Sequence, residues 1–316
     1  MILNANKLSV SDLEAIDGRR VLSVSIENVI EKDKLNEIAR MLDENSDIKI
    51  VVILDPAVTG SPDKLTNLQI VQALEKVTRL ALLALSTHRL QNIDLLSGLT
   101  KLESFELKGF YRKDISLQPI RQATGLRELE LEYGLSGRKQ VEFVNNLGRL
   151  ERLKVATLDL GQLTPNKHMI DLSVTNTLKQ QHKLSALFPN LISFECYYAR
   201  GIEAFDFLAD LPVLQHLSIG YTKKLVKVPA LANPLGLKSL CLVNTPEFAD
   251  MEGILALHNL TLLQITEPVK IPAAAFERLQ QLTKLSEVYV VFNNEEDDSK
   301  FAVLAEKRGW RLPPTH

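Results

Sequence analysis

The feature that most constrains this chain is a tandem repeat. The segment LQHLSIGYTKKLVKVPALANPLG begins at Leu214, and LKSLCLVNTPEFADMEGILALHN follows it directly from Leu237. Both segments are 23 residues long, and both place apolar residues at offsets 0, 3 and 5 from their first leucine. A unit this short cannot enclose its own apolar side chains, so consecutive units must stack and share a core. The sequence therefore predicts an array of stacked repeats.

The same template, apolar-x-x-apolar-x-apolar, recurs along most of the chain. Most steps between copies are 22 to 25 residues, and one step of 41 residues contains a weaker copy, KHMIDL, with Ile170 and Leu172 in the inner positions. Each copy is expected to form one parallel strand, about twelve in total. The remaining copies are VLSVSI from Val21, IKIVVI from Ile48, LALLAL from Leu80, LESFEL from Leu102, LRELEL from Leu126, LERLKV from Leu150, LISFEC from Leu191, LTLLQI from Leu260 and LSEVYV from Leu285.

These copies resemble the leucine-rich repeat family over roughly positions 20 to 293. From Leu80 onward the spacing is similar to the short, internalin-like class, which indicates a bacterial protein. The resemblance implies an α/β fold: a right-handed solenoid with parallel strands on its concave face, and 3₁₀ turns with some helices on its convex face. The family usually has an asparagine at offset 8, a place held here by residues such as Thr222 and Thr245, and only Asn293 conforms. We therefore expect irregular turns.

The two ends of the repeat array are predicted to be capped. Residues 1–20, with a short helix in SVSDLEAI, form the N-terminal cap, residues 21–293 form the repeats, and residues 294–316 form a helical cap whose helix ends at Gly309. The segment SPDKLTNLQIVQALEKV, which runs from Ser61 to Val77, combines a capping serine with apolar residues at helical spacing. A true α-helix is expected there.

Composition and motifs argue against several functions. A net charge of −2 and a pI near 6.3 do not favour a nucleic-acid or membrane partner. The chain shows no secretory signal and no apolar run of about 18 residues, so a cytoplasmic location is expected. HExxH, CxxC and GxSxG motifs are absent, and GLSGRK from Gly134 lacks phosphate-loop spacing. Cys196 is expected inside and Cys241 outside, without a nearby base. We expect a monomer with no enzyme activity and no cofactor or metal.

Charged side chains mark the first part of the candidate partner-binding site. Strand side chains alternate, so template offsets 2, 4 and 6 are predicted to face away from the core. Neighbouring strands lie about 4.8 Å apart, so glutamates can form an internal ladder of ion pairs with the basic residues of the next strand. Two glutamates would also lie side by side, which instead favours an acidic column that awaits a basic partner. Both interpretations stay open for Glu106, Glu128, Glu130, Glu132, Arg152 and Lys154.

Apolar and aromatic side chains complete the predicted concave face. The same alternation places an apolar strip outward, to be covered either by the N-terminus or by a partner. Aromatic residues recur near offset 7, where they serve either as packing residues or as contact points for a partner. The strip consists of Ile50, Val52, Leu54, Leu82 and Ala84, and the aromatic residues are Tyr133, Tyr198, Tyr221 and Phe292, with Tyr111 and Tyr197 nearby.

The family resemblance implies a scaffold that binds a protein on its concave face. The acidic column suggests a basic partner, and hence an inhibitor or immunity protein that blocks a toxin. A secreted bacterial effector acting on a host protein and a glycan-binding module are the alternatives. A glycan-binding module requires several aromatic rings around one groove.

Overall fold

A computed structural model describes residues 1–59, 61–135, 137–198, 200–266 and 270–311. The chain divides into two compact units, residues 1–155 and 156–316. Thirteen parallel strands occur in the described residues, in agreement with the expected number of about twelve. None of the helices in these residues combines the length and the apolar character that a membrane span requires.

The first unit is built on parallel strands joined by helices and turns. Its strands are β1 (Ile2–Asn4), β2 (Ser23–Ile26), β3 (Val29–Glu31), β4 (Lys49–Leu54), β5 (Lys64–Thr66), β6 (Arg79–Ala84), β7 (Ser104–Gly109), β8 (Glu128–Leu131) and β9 (Arg152–Asp159), the last of which contains the unit boundary. Seven strands pair in the order β1-β2-β4-β6-β7-β8-β9, while β3 and β5 form a separate antiparallel pair. Its helices are α1 (Val10–Glu14), α2 (Lys32–Glu44), α3 (Leu68–Gln72) and α4 (Arg138–Asn145).

The second unit repeats the same plan with shorter connections. Its strands, which pair in chain order, are β10 (Asp171–Lys179), β11 (Ser193–Tyr197), β12 (His216–Gly220), β13 (Ser239–Val243), β14 (Leu262–Thr266) and β15 (Glu287–Val290). Its helices are α5 (Leu184–Leu187), α6 (Met251–Leu255) and α7 (Glu295–Arg308). The predicted 3₁₀ turns are present after most strands from β6 onward, for example at Asp206–Asp210 and Pro234–Gly236.

Template offsets 3 and 5 form the core because pairing aligns them from strand to strand. In the second unit, Phe194 pairs with Leu217, which pairs with Leu240, which pairs with Leu263. All four side chains are at most 1% exposed. The alternating residues point to the other side of the sheet, which we call the open face. The core register is therefore the predicted one in β2, in β7 to β9 and in β11 to β15.

The predicted register was wrong in two early strands. Ile50 and Val52 are fully buried, as are Leu82 and Ala84, and Leu54 is 1% exposed. These residues belong to the core and not to an exposed strip. The runs IKIVVI and LALLAL are apolar in both alternating sets, so the template fits either register, and strand pairing selects the other one. Lys49, Val51 and Ile53 therefore face outward in β4.

A similar shift affects the weak copy in the second unit. In β10 the buried inner positions are Leu172 and Val174, which pair with Phe194 and Cys196, whereas Ile170 is half-buried. The template in this strand therefore lies two residues later than predicted. The cause is that KHMIDL contains too few apolar residues to fix a register.

The helices at both ends form where the sequence indicates. In α1, Ser9 and Asp12 form a reciprocal capping box. Helix α7 ends at Gly309, whose φ of 68° is the left-handed conformation that glycine adopts without strain. Two features differ from the predictions. First, β1 adds a strand before the first template copy. Second, α3 starts only at Leu68, and Ser61 forms a β-bridge with Lys64 instead of capping that helix. Residues 312–316 of the predicted cap lie outside the described residues.

Candidate functional site

The charged residues on the open face of the first unit pair with one another. Arg152 binds Glu128, and Arg79 on the other side approaches the same carboxylate at 3.8 Å. Lys154 Nζ lies 3.4 Å from Glu130 Oε1. Both cross-strand contacts expected from the sequence, Glu128 with Arg152 and Glu130 with Lys154, are thus present. We call this set, together with Lys49, Glu106 and Lys108, the charge ladder.

A lysine resolves the expected repulsion between two neighbouring glutamates. Glu106 and Glu130 are paired in register, and Lys108 Nζ lies 3.2 Å from the first carboxylate and 3.1 Å from the second. Glu106 also binds Lys49 at 2.5 Å, across the intervening strand β6. Ala81 lies on that strand and is only 2% exposed although it faces outward, consistent with cover from the lysine stem.

The protonation equilibria of the ladder reflect this mutual pairing. Burial by itself would raise the pKa of Glu106, but the hydrogen bonds and charges of Lys49 and Lys108 hold that pKa below its ordinary value. Burial by itself would lower the pKa of Lys108, but Glu130 and Glu106 raise it. Three glutamates thus meet five cations, Lys49, Arg79, Lys108, Arg152 and Lys154, so the ladder has no surplus of negative charge.

Two further predicted residues lie next to the ladder. Glu132 is exposed, and its Oε2 accepts a hydrogen bond of 2.6 Å from the backbone N–H of Gly109. Tyr133 is half-buried, and its backbone N–H donates to Tyr111 Oη at 3.0 Å. The two rings pack at 4.7 Å, and Lys113 Nζ lies 5.5 Å from the centre of the Tyr133 ring. Tyr111 is 2% exposed, and burial raises its pKa to about 12, so it is a packing residue.

Three tyrosines of the second unit form one aromatic cluster at the end of adjacent strands. The rings of Tyr198 and Tyr221 stack with centroids 4.4 Å apart and planes inclined by 10°. Tyr197 meets Tyr221 edge-on at 6.2 Å. Tyr198 is 53% exposed and Tyr221 is 41% exposed. We call these three residues the tyrosine cluster. Phe292 is not equivalent to them, because it is 5% exposed and packs against Phe301 of α7.

The backbone of the two stacked tyrosines is left-handed. Tyr198 has φ 58° and Tyr221 has φ 54°, and Asn244, at the same offset in the next repeat, has φ 47°. In this conformation each backbone N–H donates to the next strand, as from Tyr198 to Gly220 O at 3.0 Å and from Asn244 to Thr266 O at 3.0 Å. Glycine and asparagine suit this position best, and other residues cost roughly 1–2 kcal/mol. The chain therefore retains two large exposed rings where they strain the backbone.

The third tyrosine is held rigidly against the sheet. Tyr197 Oη lies 2.9 Å from Ser218 Oγ. Its ring covers Gly220, where an added Cβ would come within 2.5 Å of the ring carbon Cδ1. Burial raises the pKa of Tyr197, and the neighbouring Glu195 raises it further, so the hydroxyl stays protonated. The arrangement presents a fixed aromatic surface on the open face.

The cysteines lie where the sequence places them. Cys196 is 1% exposed in the core, and Cys241 is half-buried on the open face, with its Sγ 3.9 Å from Gln264 Oε1. Burial raises the pKa of Cys241, which disfavours the reactive thiolate. Within the described ranges, no group of three histidine, cysteine or carboxylate side chains is arranged to hold a metal ion.

The predicted site residues thus separate into two groups. Tyr133 and the charged residues belong to the first unit, and the tyrosine cluster belongs to the second. Lys49 and Arg79 were not predicted as site residues because of the register error. Once the register of β4 and β6 is shifted by one residue, the alternation of side chains places both residues on the open face. Sequence reasoning also missed Glu195, which occupies an ordinary outward offset in its strand.

Comparisons with known proteins establish the fold. No family model matches the chain, and no curated protein sequence matches it. Its structure is similar to that of an internalin from Listeria monocytogenes, with 18% identity, a TM-score of 0.52 and coverage of 87% of this chain and 81% of the internalin. A leucine-rich-repeat protein from Leptospira interrogans shares 17% identity, with a TM-score of 0.37 and coverage of 92% and 89%, respectively. The likeness to the first of these structures shows that the chain has an α/β leucine-rich-repeat fold of the internalin kind.

Proposed function

Starting from the leucine-rich-repeat fold, we propose that this chain is a binding scaffold without catalysis of its own. Its partner is a protein, and the contact surface centres on the tyrosine cluster. The observation that carries the proposal is the pair of exposed, stacked rings of Tyr198 and Tyr221 on left-handed backbone. Strained residues of this kind cluster at functional sites, because the surrounding structure must compensate for their cost.

The chemistry of the cluster suits a protein surface. Tyrosine offers a large contact area with few rotatable bonds, so little conformational entropy is lost when it becomes buried. Stacking fixes Tyr198 against Tyr221, and the hydrogen bond to Ser218 fixes Tyr197. Such preorganised aromatic residues are the residue type most often found at binding hot spots.

The experiment compares wild-type protein with the double variant Tyr198→Asn/Tyr221→Asn as baits in parallel affinity captures. Asparagine suits the left-handed backbone, as Asn244 shows, so the variant loses the rings without added strain. We expect a protein that the wild type enriches and the double variant does not. Binding of that purified protein should then weaken by about 1–3 kcal/mol for each single variant.

A matched control separates the cluster from aromatic residues in general. Tyr289→Asn replaces another tyrosine of the open face, in the regular strand β15. The proposal requires this variant to capture the same protein as the wild type. Equal capture by all three baits would overturn the proposal, and so would binding of an oligosaccharide array by the wild type without any protein partner, which would favour the glycan-binding alternative.

The finer functional predictions rest on the sequence alone. An inhibitor or immunity role was suggested by the acidic column, whose carboxylates bind the chain's own lysines and arginines. The column therefore lends that role no support, and the effector role has no structural observation behind it. A bacterial origin, a cytoplasmic location and a monomeric state stay predictions.

A further inference from the structure

Glu195 differs from the glutamates of the charge ladder because it has no cation beside it. On the open face it is paired in register with Ser173 on one side and Ser218 on the other. Ser173 Oγ donates a hydrogen bond of 2.5 Å to its Oε2. In the part of the chain that the structure describes, no lysine, arginine or histidine forms an ion pair with this half-buried carboxylate.

The rows of the two units show the contrast directly. At offset 4 the first unit carries Glu106, Glu130 and Lys154 in succession, with Lys108 between the two glutamates. Beyond Ser218, the corresponding row of the second unit continues only with neutral residues, namely Cys241, Gln264 and Tyr289. Negative charge on Glu195 is therefore compensated by the hydroxyl groups of Ser173 and Tyr197 and, within the described residues, by no cation, and a half-buried carboxylate gains most from an opposite charge.

An aromatic surface lies next to this carboxylate. Tyr197 follows Glu195 by two residues in β11, so both side chains stand on the open face. The Tyr197 ring lies against Gly220 on one side and is anchored through its hydroxyl to Ser218. A ring held in this way beside a carboxylate is complementary to a planar cation, which can stack on the ring while it bonds the two oxygens.

We propose that Glu195 and Tyr197 form a receptor for an arginine side chain of the protein partner. This inference rests on the proposed function and assigns the partner chemistry of the same surface. A guanidinium matches both elements, because it pairs with a carboxylate through two parallel hydrogen bonds and stacks on aromatic faces. An ammonium group of lysine has only the point charge, and an apolar side chain would leave Glu195 uncompensated.

The first test uses a small probe and the full-length protein. In a ¹⁵N-TROSY titration, N-acetyl-arginine amide should shift the backbone amides of Ser218 and Gly220 in a saturable manner. N-acetyl-citrulline amide, which has nearly the same shape without the charge, should bind at least tenfold more weakly. Equal shifts from both probes, or no shifts near these residues, would overturn the inference.

Variants assign the effect to the two side chains. Glu195→Gln should weaken binding of the arginine probe at least tenfold, and Tyr197→Leu should weaken it about fivefold, whereas Tyr197→Phe keeps the ring and should stay within about threefold of the wild type. Glu287→Gln is the matched control, because that open-face carboxylate of the same unit already binds Arg311 at 3.0 Å. A loss of binding in Glu287→Gln equal to that in Glu195→Gln would contradict the assignment.

Binding of the captured partner to two variants, Tyr221→Asn and Glu195→Gln, distinguishes this inference from the proposed function. A partner that dissociates from both Tyr221→Asn and Glu195→Gln supports both statements. Loss in Tyr221→Asn with binding to Glu195→Gln unchanged overturns the arginine receptor and leaves the scaffold function standing. Unchanged binding in both variants overturns both.

Discussion

At the scale of single residues, the left-handed tyrosines give the first prediction. Tyr221→Asn relieves backbone strain of about 1–2 kcal/mol and loses a stacking contact of about 0.5–1.5 kcal/mol, so its unfolding free energy should stay within about 1 kcal/mol of the wild type. Tyr221→Ala loses the same stacking but keeps the strain. We expect the alanine variant to be about 1 kcal/mol less stable than the asparagine variant in urea unfolding. Equal stabilities would mean that the backbone conformation carries no cost.

Gly220 gives a second prediction at this scale. A methyl group on Gly220 would come within 2.5 Å and 2.8 Å of two Tyr197 ring carbons, so Gly220→Ala must displace the ring. We expect a loss of about 1–3 kcal/mol in unfolding free energy, the usual range for overpacking. Gly148→Ala is the control because, apart from its own chain neighbours, no heavy atom lies within 4 Å of its new methyl group. Replacing glycine by alanine restricts the unfolded chain, which by itself would stabilise the protein, so Gly148→Ala should lose no stability. A loss in Gly148→Ala equal to that in Gly220→Ala, measured by urea unfolding, would contradict the ring contact as the cause.

These residues also show where sequence reasoning stops. The offset rule located Tyr198 and Tyr221, since strand ends recur with the repeat. It located Phe292 by the same rule, but α7 follows that repeat and buries the ring against Phe301. Neither the stacking nor the sign of φ is visible in a pattern of apolar residues. The stacking depends on the ring of the neighbouring repeat, and the sign of φ depends on where the next strand presents its carbonyl group.

At the scale of strands, the core register could be read wherever polar residues interrupt the apolar ones. LRELEL admits one register, whereas LALLAL admits two. The third prediction tests the structure's choice in β6. Leu82→Ala should cost about 2–5 kcal/mol because the side chain is fully buried, and Leu85→Ala should cost less than about 1 kcal/mol because Leu85 is 59% exposed. Chemical unfolding measures both, and the reverse order would restore the register expected from the sequence.

Pairing between β4, β7 and β8 gives a pH-dependent prediction. The pKa of Glu106 is lowered in the folded protein from an ordinary value of 4.5, so its contribution to stability is present above about pH 4.5 and disappears as the pH falls through the folded pKa. Glu106→Gln should therefore be less stable than the wild type near neutral pH, and the difference should shrink in acid. Urea unfolding at several pH values measures this difference.

The control for the acid series is Glu203→Gln. Glu203 also binds a lysine, at 2.7 Å, but its side chain is 83% exposed. Exposed ion pairs contribute little, so this variant should follow the wild type at every pH. A difference between Glu106→Gln and the wild type that stays constant into acid would show that the lost stability is not electrostatic.

At the scale of the whole molecule, the repeat period predicted the fold class and the approximate number of strands, because each copy encodes one strand. The ends were predicted from helix signals, namely the segment SVSDLEAI and Gly309, which act locally. Which residues of the open face are available to a partner was harder to predict. Whether a row of glutamates attracts a partner depends on cations from other strands, and Lys49 reaches Glu106 from 57 residues away in sequence.

The last prediction follows from this pairing of charges. If the acidic column attracted a basic partner, Glu130→Lys would slow association and flatten its salt dependence. Because Glu130 is already bound by Lys108 and Lys154, we expect an association rate within about twofold of the wild type, as for the control Glu296→Lys, which makes the same change of charge on helix α7. Tyr198→Asn should instead accelerate dissociation by about fivefold or more. Surface plasmon resonance with the captured partner at several salt concentrations measures both rates. Slower association in Glu130→Lys than in Glu296→Lys, with folding intact, would show that the partner binds at the charge ladder.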